Sequence, residues 1–168
     1  MAAFLEDRVE ELLAKGYTKE KIRNLLKKDD KDGELDFYLK NISYPEDRVR
    51  YQFVNLSLFF ILLFITIKKL YFALSFGQLS IVMLLAMVVP TVNIYILREI
   101  MRYRRTGYLF CLVLSALSLV NAENRAFPEI VLVPAMVFLS GFLFAKLFWQ
   151  YEKKDGKNGN KEGRKSPA

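Results

Sequence analysis

The sequence predicts an all-α, polytopic integral membrane protein in which a small N-terminal helical head precedes four transmembrane helices. Three observations carry this. Charge is segregated along the 168 residues: dense to about residue 50, sparse over 52–149, and dense again in the tail. Runs such as Ser57–Ile67 are apolar on every side, whereas a helix of a soluble bundle needs a polar face. The apolar stretch also divides into four segments of roughly the 20 residues that cross a bilayer at 1.5 Å each. The expected organisation is a head over 1–44, a membrane domain over 45–151 and a disordered basic tail over 152–168.

The head reads as three short helices. In the first, Phe4, Leu5, Val9, Leu12 and Leu13 recur at helical spacing, and Gly16 just beyond them fits a left-handed C-cap. Thr18 can cap a second helix that carries Glu20 in its first turn and Ile22, Leu25 and Leu26 on one face. Tyr17 and Ile22 stand where a hydrophobic staple would form. A charged loop, Asp29-Asp30-Lys31-Asp32-Gly33, leads to a third helix with Leu35, Tyr38, Leu39 and Ile42. Read as a calcium loop, Lys28–Leu39 holds Lys28 and Leu39 at the two positions that need carboxylates, so no metal site is expected there. A unit of about 40 residues is marginally stable alone. It should therefore lean on the membrane domain or on a partner.

Pro45 with Glu46 and Asp47 suits a helix start, so the first membrane helix is expected to begin near Pro45 and run straight into the bilayer. The spans fall at about 52–72, 79–97, 107–122 and 130–149. The first includes Lys68 and Lys69, which would snorkel, and the third is short. The first long apolar run begins after residue 50, so this helix is expected to direct its own insertion.

Four spans put the 98–106 loop on the side of both termini. That loop holds Arg98, Arg102, Arg104 and Arg105 against Glu99, and the tail is rich in lysine. The opposite side carries only Lys68, Lys69 and Arg125. Positive charge marks the cytoplasmic side, so both termini are expected there, in the cell membrane. Tyr103, Tyr108, Trp149 and Tyr151 would then form an aromatic belt. The four arginines and the C-terminal lysines would meet anionic lipid head groups. The net charge of +7 comes from this loop and tail, while the head is nearly neutral. A basic groove interleaved with aromatics is missing, so nucleic acid is not an expected partner.

Absent residue types exclude chemistry. There is no histidine, which removes histidine bases, the usual triads and His-dependent metal sites. The single cysteine, Cys111, lies in an apolar run and excludes an intrachain disulfide. Neither a catalytic constellation nor a cofactor motif is evident, and no enzyme is expected.

Inside the spans, Asn55 and Asn93 are the amides, each a few residues from the cytoplasmic edge. They are expected to pair with one another or share a water, with Thr91 beside them. Pro90 and Pro134 are expected to kink their helices, and the surroundings of Pro90, Thr91 and Asn93 are the place to look for a cavity. Small residues four apart mark close helix contacts: Cys111 and Ser115, Ser118 and Ala122, Gly141 and Ala145.

The stretch VEELLAKGYTKEKIRNLL over Val9–Leu26, followed by GELDFYLKN, resembles the small three-helix ubiquitin-associated-like modules, which share a Gly-aromatic turn between helices one and two. The resemblance covers about a quarter of the chain. It implies a protein-binding head with Gly16 and Tyr17 at the docking surface. The leading expectation is a non-enzymatic membrane adaptor or assembly component. The alternative is a small channel or transporter subunit, which would be a homo-oligomer because four short spans enclose little space.

Overall fold

Every regular element among the described residues is helical. The structure is a computed structural model and describes residues 2–27, 30, 33–75, 81–120 and 127–149. The basic tail, Tyr151, Ala122, Arg125 and most of the acidic loop of the head lie outside these. By contact, one unit comprises Met1–Val49 with the described residues from Phe144 on, and the other is Arg50–Leu143.

The head forms as its local signals require. Helix α1 (Ala2–Ala14) ends at Gly16, whose φ is 81°. The amide of Gly16 donates to the Leu13 carbonyl (3.0 Å) and that of Tyr17 to the Leu12 carbonyl (3.1 Å), the paired bonds of a Schellman ending. Leu12 and Tyr17, its apolar partners, both pack against the head's core. Thr18 then caps α2 (Lys19–Leu26) by accepting from the Lys21 amide at 3.4 Å. The third helix, α3 (Leu35–Asn41), contributes Leu35 and Leu39, and these close on Val9, Leu13, Ile22, Leu26 and Ile42.

Helix α4 (Pro45–Arg50) corrects one expectation. It does not run on as the first membrane helix: Tyr51 interrupts it before α5 (Gln52–Leu74). The reason lies in Arg48, which donates to the Ser43 hydroxyl (3.2 Å) and carbonyl (3.1 Å) and pairs with Glu10 (3.5 Å). These bonds hold α4 on the head, and α4 up to Val49 falls in the same contact unit as α1 to α3.

On the exposed side of α1, Glu11 meets Lys15 at 2.5 Å and Arg8 at 3.0 Å. The Lys15 hydrogen bond, then the charges of Lys15 and Arg8, hold its carboxyl below the usual glutamate range. A depressed carboxylate supports the fold above its unfolded pKa, and that support is lost as pH falls through the folded value. Carboxyl carbon NMR should therefore give Glu11 a midpoint below the ordinary value of about 4.3, and Lys15→Gln should move it back towards that value.

The second unit contains α5, α6 (Ile81–Met101), α7 (Arg105–Ser118) and most of α8 (Glu129–Phe144), which ends in a π-helical turn, Ala145–Trp149. Three helical stretches are long and apolar enough to cross a bilayer: Gln52–Leu74, Met83–Met101 and Glu129–Phe148. Helix α7 is apolar but shorter, 14 residues, or about 21 Å at the α-helical rise. Both α6 and α8 continue through their prolines, Pro90 and Pro134.

Consecutive helices run antiparallel, as do α5 and α8. Asn55, near the start of α5, bonds to Ile100 at the end of α6 and to Tyr108 at the start of α7. The Tyr51 ring meets Phe142 at 5.9 Å, while Lys68, towards the far end of α5, pairs with Glu129 at the start of α8. The outward faces are largely apolar, with Phe53, Phe60, Phe64, Leu84, Val113, Leu117 and Phe138 all exposed.

Candidate functional site

Two polar clusters and a cavity are built into the second unit. The first cluster closes the turn between α6 and α7. Tyr103 adopts φ 52°, and its amide and that of Arg104 donate to the carbonyls of Ile100 and Glu99, each at 3.0 Å. This is again a Schellman ending, with tyrosine in the left-handed position where glycine is usual. The turn carries Arg104 back over Glu99. One guanidinium nitrogen lies 3.3 Å from both carboxylate oxygens, and the Thr106 hydroxyl donates to the same group at 3.3 Å. The Glu99 side chain is 4% exposed and that of Arg104 15%. Burial pushes the Arg104 guanidinium down from its usual range, though an arginine remains charged.

The four arginines of this stretch are placed unequally. Arg104 serves the turn instead of reaching outward. Arg102 and Arg105 are half-buried, and Arg98 is exposed.

Asn55 organises the second cluster. Its amide donates to the Ile100 carbonyl at 3.3 Å, and its oxygen accepts from the Tyr108 hydroxyl at 2.7 Å. Tyr108 is fully buried, so it is an internal partner and no part of an aromatic belt. The expected bond between Asn55 and Asn93 is absent because Asn55 is level with Ile100, seven residues beyond Asn93, or about 10 Å along the helix. A double-mutant cycle of Asn55→Ala and Tyr108→Phe in detergent should give a coupling of about 0.6–1.7 kcal/mol. Additive single-mutant losses would contradict it.

Asn93 instead faces a cavity of about 380 Å³ enclosed by α5, α6, α7 and α8. Leu62, Ile65, Val92, Ile96, Val133 and Met136 supply apolar walls, and Asn93, Ser115, Ser118, Cys111 and Lys69 supply polar atoms. Asn93 is 9% exposed. Its carboxamide makes no hydrogen bond among the described residues. The Ser115 hydroxyl donates to the carbonyls of Cys111 (2.5 Å) and Leu112 (3.2 Å), which leaves its oxygen able to accept. Cys111 is buried, and the nearby Ser140 hydroxyl donates to the Met136 carbonyl at 2.6 Å. Thr91 does not join this site. It is exposed, and its hydroxyl bonds to the Met87 carbonyl one turn back at 2.8 Å, a local alternative open to any helical threonine.

Near the cavity's Lys69 end, Glu129 accepts from Lys68 through one oxygen, while its other oxygen is buried without a partner among the described residues. In the head, Gly16 is exposed and Tyr17 half-buried, with Lys21 over the Tyr17 ring at 4.8 Å. No group of three or more His, Cys, Asp or Glu residues that could hold a metal occurs among the described residues.

The chain matches no protein-family model, no curated protein and no solved structure. Its functional reading therefore rests on its own geometry.

Proposed function

We propose that the chain is a four-span protein of the cell membrane with both termini in the cytoplasm, and that it acts as a non-enzymatic adaptor whose head docks a protein partner. Hydrocarbon is the solvent that suits the outward residues of α5 to α8, because monomeric soluble proteins rarely expose apolar patches larger than a few hundred Å². One observation carries the four crossings. The Lys68–Glu129 pair joins the far end of α5 to the start of α8, and the Tyr51–Phe142 contact joins their opposite ends. Helix α7 starts at the Tyr108 end and α8 at the Glu129 end, which supports reading the short α7 as the third crossing.

The docking role is supported by a head that closes its own core and presents the Gly16–Tyr17 turn at its edge. Anionic lipid would meet Arg98 and the basic tail. A photo-crosslinking residue at Lys21, beside Tyr17, should capture one discrete protein from cells expressing the full chain. Tyr17→Leu, which keeps an apolar side chain against the core, should abolish that adduct. A crosslink pattern indifferent to Tyr17→Leu would remove this surface from consideration.

A second reading, a small oligomeric carrier or channel subunit, is favoured by the cavity and by Asn93 within it, whose side chain has no hydrogen-bond partner among the described residues. Flux through proteoliposomes that disappears in Asn93→Ala would select it.

A further inference from the structure

We infer that the cavity between α5, α6, α7 and α8 binds an uncharged, largely apolar small molecule bearing a hydroxyl or carbonyl group, which Asn93 hydrogen-bonds. The inference rests on the reading of this unit as membrane-embedded and adds the chemistry of its ligand.

The volume of about 380 Å³ falls within the range of small-molecule sites, roughly 300–1,000 Å³. Its walls are aliphatic apart from a few polar atoms, so an apolar body fits it. Water does not fill such a space well, because each buried water needs two to four polar partners. Asn93 supplies the specific point. Asn93 is 9% exposed as a residue, and its carboxamide lines the cavity without a hydrogen-bond partner among the described residues; in apolar surroundings such a group gains by being paired. It offers two donors and one acceptor. Ser115, on the same cavity wall, can still accept. A ligand hydroxyl can accept from the Asn93 amide and donate to either oxygen, and a ligand carbonyl can accept from the amide alone.

Charge decides against an ionised head group at this depth. Among the described residues, Lys69 is the one charged side chain lining the cavity. Counting from the Asn55–Ile100 bond, seven residues along each antiparallel helix bring Leu62 level with Asn93. Lys69 lies seven residues further, about 10 Å along the axis. An anion at Asn93 would be buried without a counter-charge. The ligand's route in is lateral: Val88 and Val89 line the cavity yet are 54% and 51% exposed, so its lip opens towards the surrounding solvent of the bundle, here lipid.

The test uses the full chain in lipid nanodiscs, with incorporation scored first by size-exclusion chromatography. Failure at that step would count against membrane insertion, not against the ligand. Three diazirine probes of one chain length are then photolysed: a primary alcohol, the matching carboxylate and the matching alkane. The alcohol should label the peptides carrying Val88–Asn93 and Leu114–Ser118 at least tenfold more than the alkane does. Asn93→Leu should reduce alcohol labelling to the alkane level and leave alkane labelling unchanged. An unchanged melting temperature of Asn93→Leu in detergent separates a lost contact from a lost fold; if it falls, the smaller apolar Asn93→Val provides the second variant, with the same loss expected. Equal labelling by alcohol and alkane would show only a groove filled by acyl chains and would overturn the inference. So would carboxylate labelling that exceeds the alcohol's, or alcohol labelling indifferent to Asn93→Leu.

Discussion

Replacing Gly107 by alanine will disrupt the α6–α7 hairpin and lower the stability of the second unit by about 1–3 kcal/mol, the usual cost of overpacking. The added Cβ would lie 2.7 Å from Glu99 Cβ and 2.9 Å from both the Glu99 carbonyl carbon and the Ile100 nitrogen. Two of these three atoms are backbone, so no side chain can rotate aside. One helix must move off the other. The same substitution at Gly141 provides the contrast. Its Cβ would meet only Leu112 Cδ1, at 3.6 Å, an ordinary contact, and Gly141→Ala should be neutral or slightly stabilising. Unfolding in increasing SDS, followed by circular dichroism, would compare the two. Equal behaviour would mean that α6 and α7 do not approach as closely as described.

Removal of Glu99 is the second large effect. Glu99→Ala leaves the Arg104 guanidinium, 15% exposed, beside a turn with no carboxylate. Breaking a buried pair by deleting one partner costs about 3–5 kcal/mol, and the remaining exposure of Arg104 places this case at the lower end. Glu99→Gln keeps an oxygen acceptor for Arg104 and Thr106 and should lose less. By comparison, the pair between Arg23 and Asp36 in the head is largely solvent-exposed, and Asp36→Ala should cost about 1 kcal/mol or less. Should Glu99→Ala and Asp36→Ala prove equally mild, Arg104 is solvated in the protein.

What the sequence revealed and what it concealed follow from the range of the forces involved. Gly16, Thr18 and the three head helices were legible because their signals act within a few residues: a positive φ, a side-chain cap and an apolar period. The apolar helices were legible for the same reason. Gly107 was read only as the start of a span, because the clash it avoids is with atoms of another helix. Asn55 was paired with the wrong amide for a related reason. Distance from a span's edge fixes depth to within about a turn, and Tyr108 one helix away proved nearer than Asn93. Thr91 beside Asn93 suggested one polar spot, yet their side chains leave the helix on different faces. The α4 break was concealed because Arg48, read as a flanking charge, bonds to Ser43 and Glu10 instead.

The number of crossings is tested most directly by the side on which labels appear. Cysteines placed singly at Glu20, Asn124 and Asn160, with Cys111→Ser as background, can be probed on intact cells with a membrane-impermeant maleimide. Asn124→Cys should react from outside, whereas Glu20→Cys and Asn160→Cys should react only after the membrane is opened. Labelling of Asn160→Cys from outside while Glu20→Cys stays protected would mean an odd number of crossings and would contradict the four-span account.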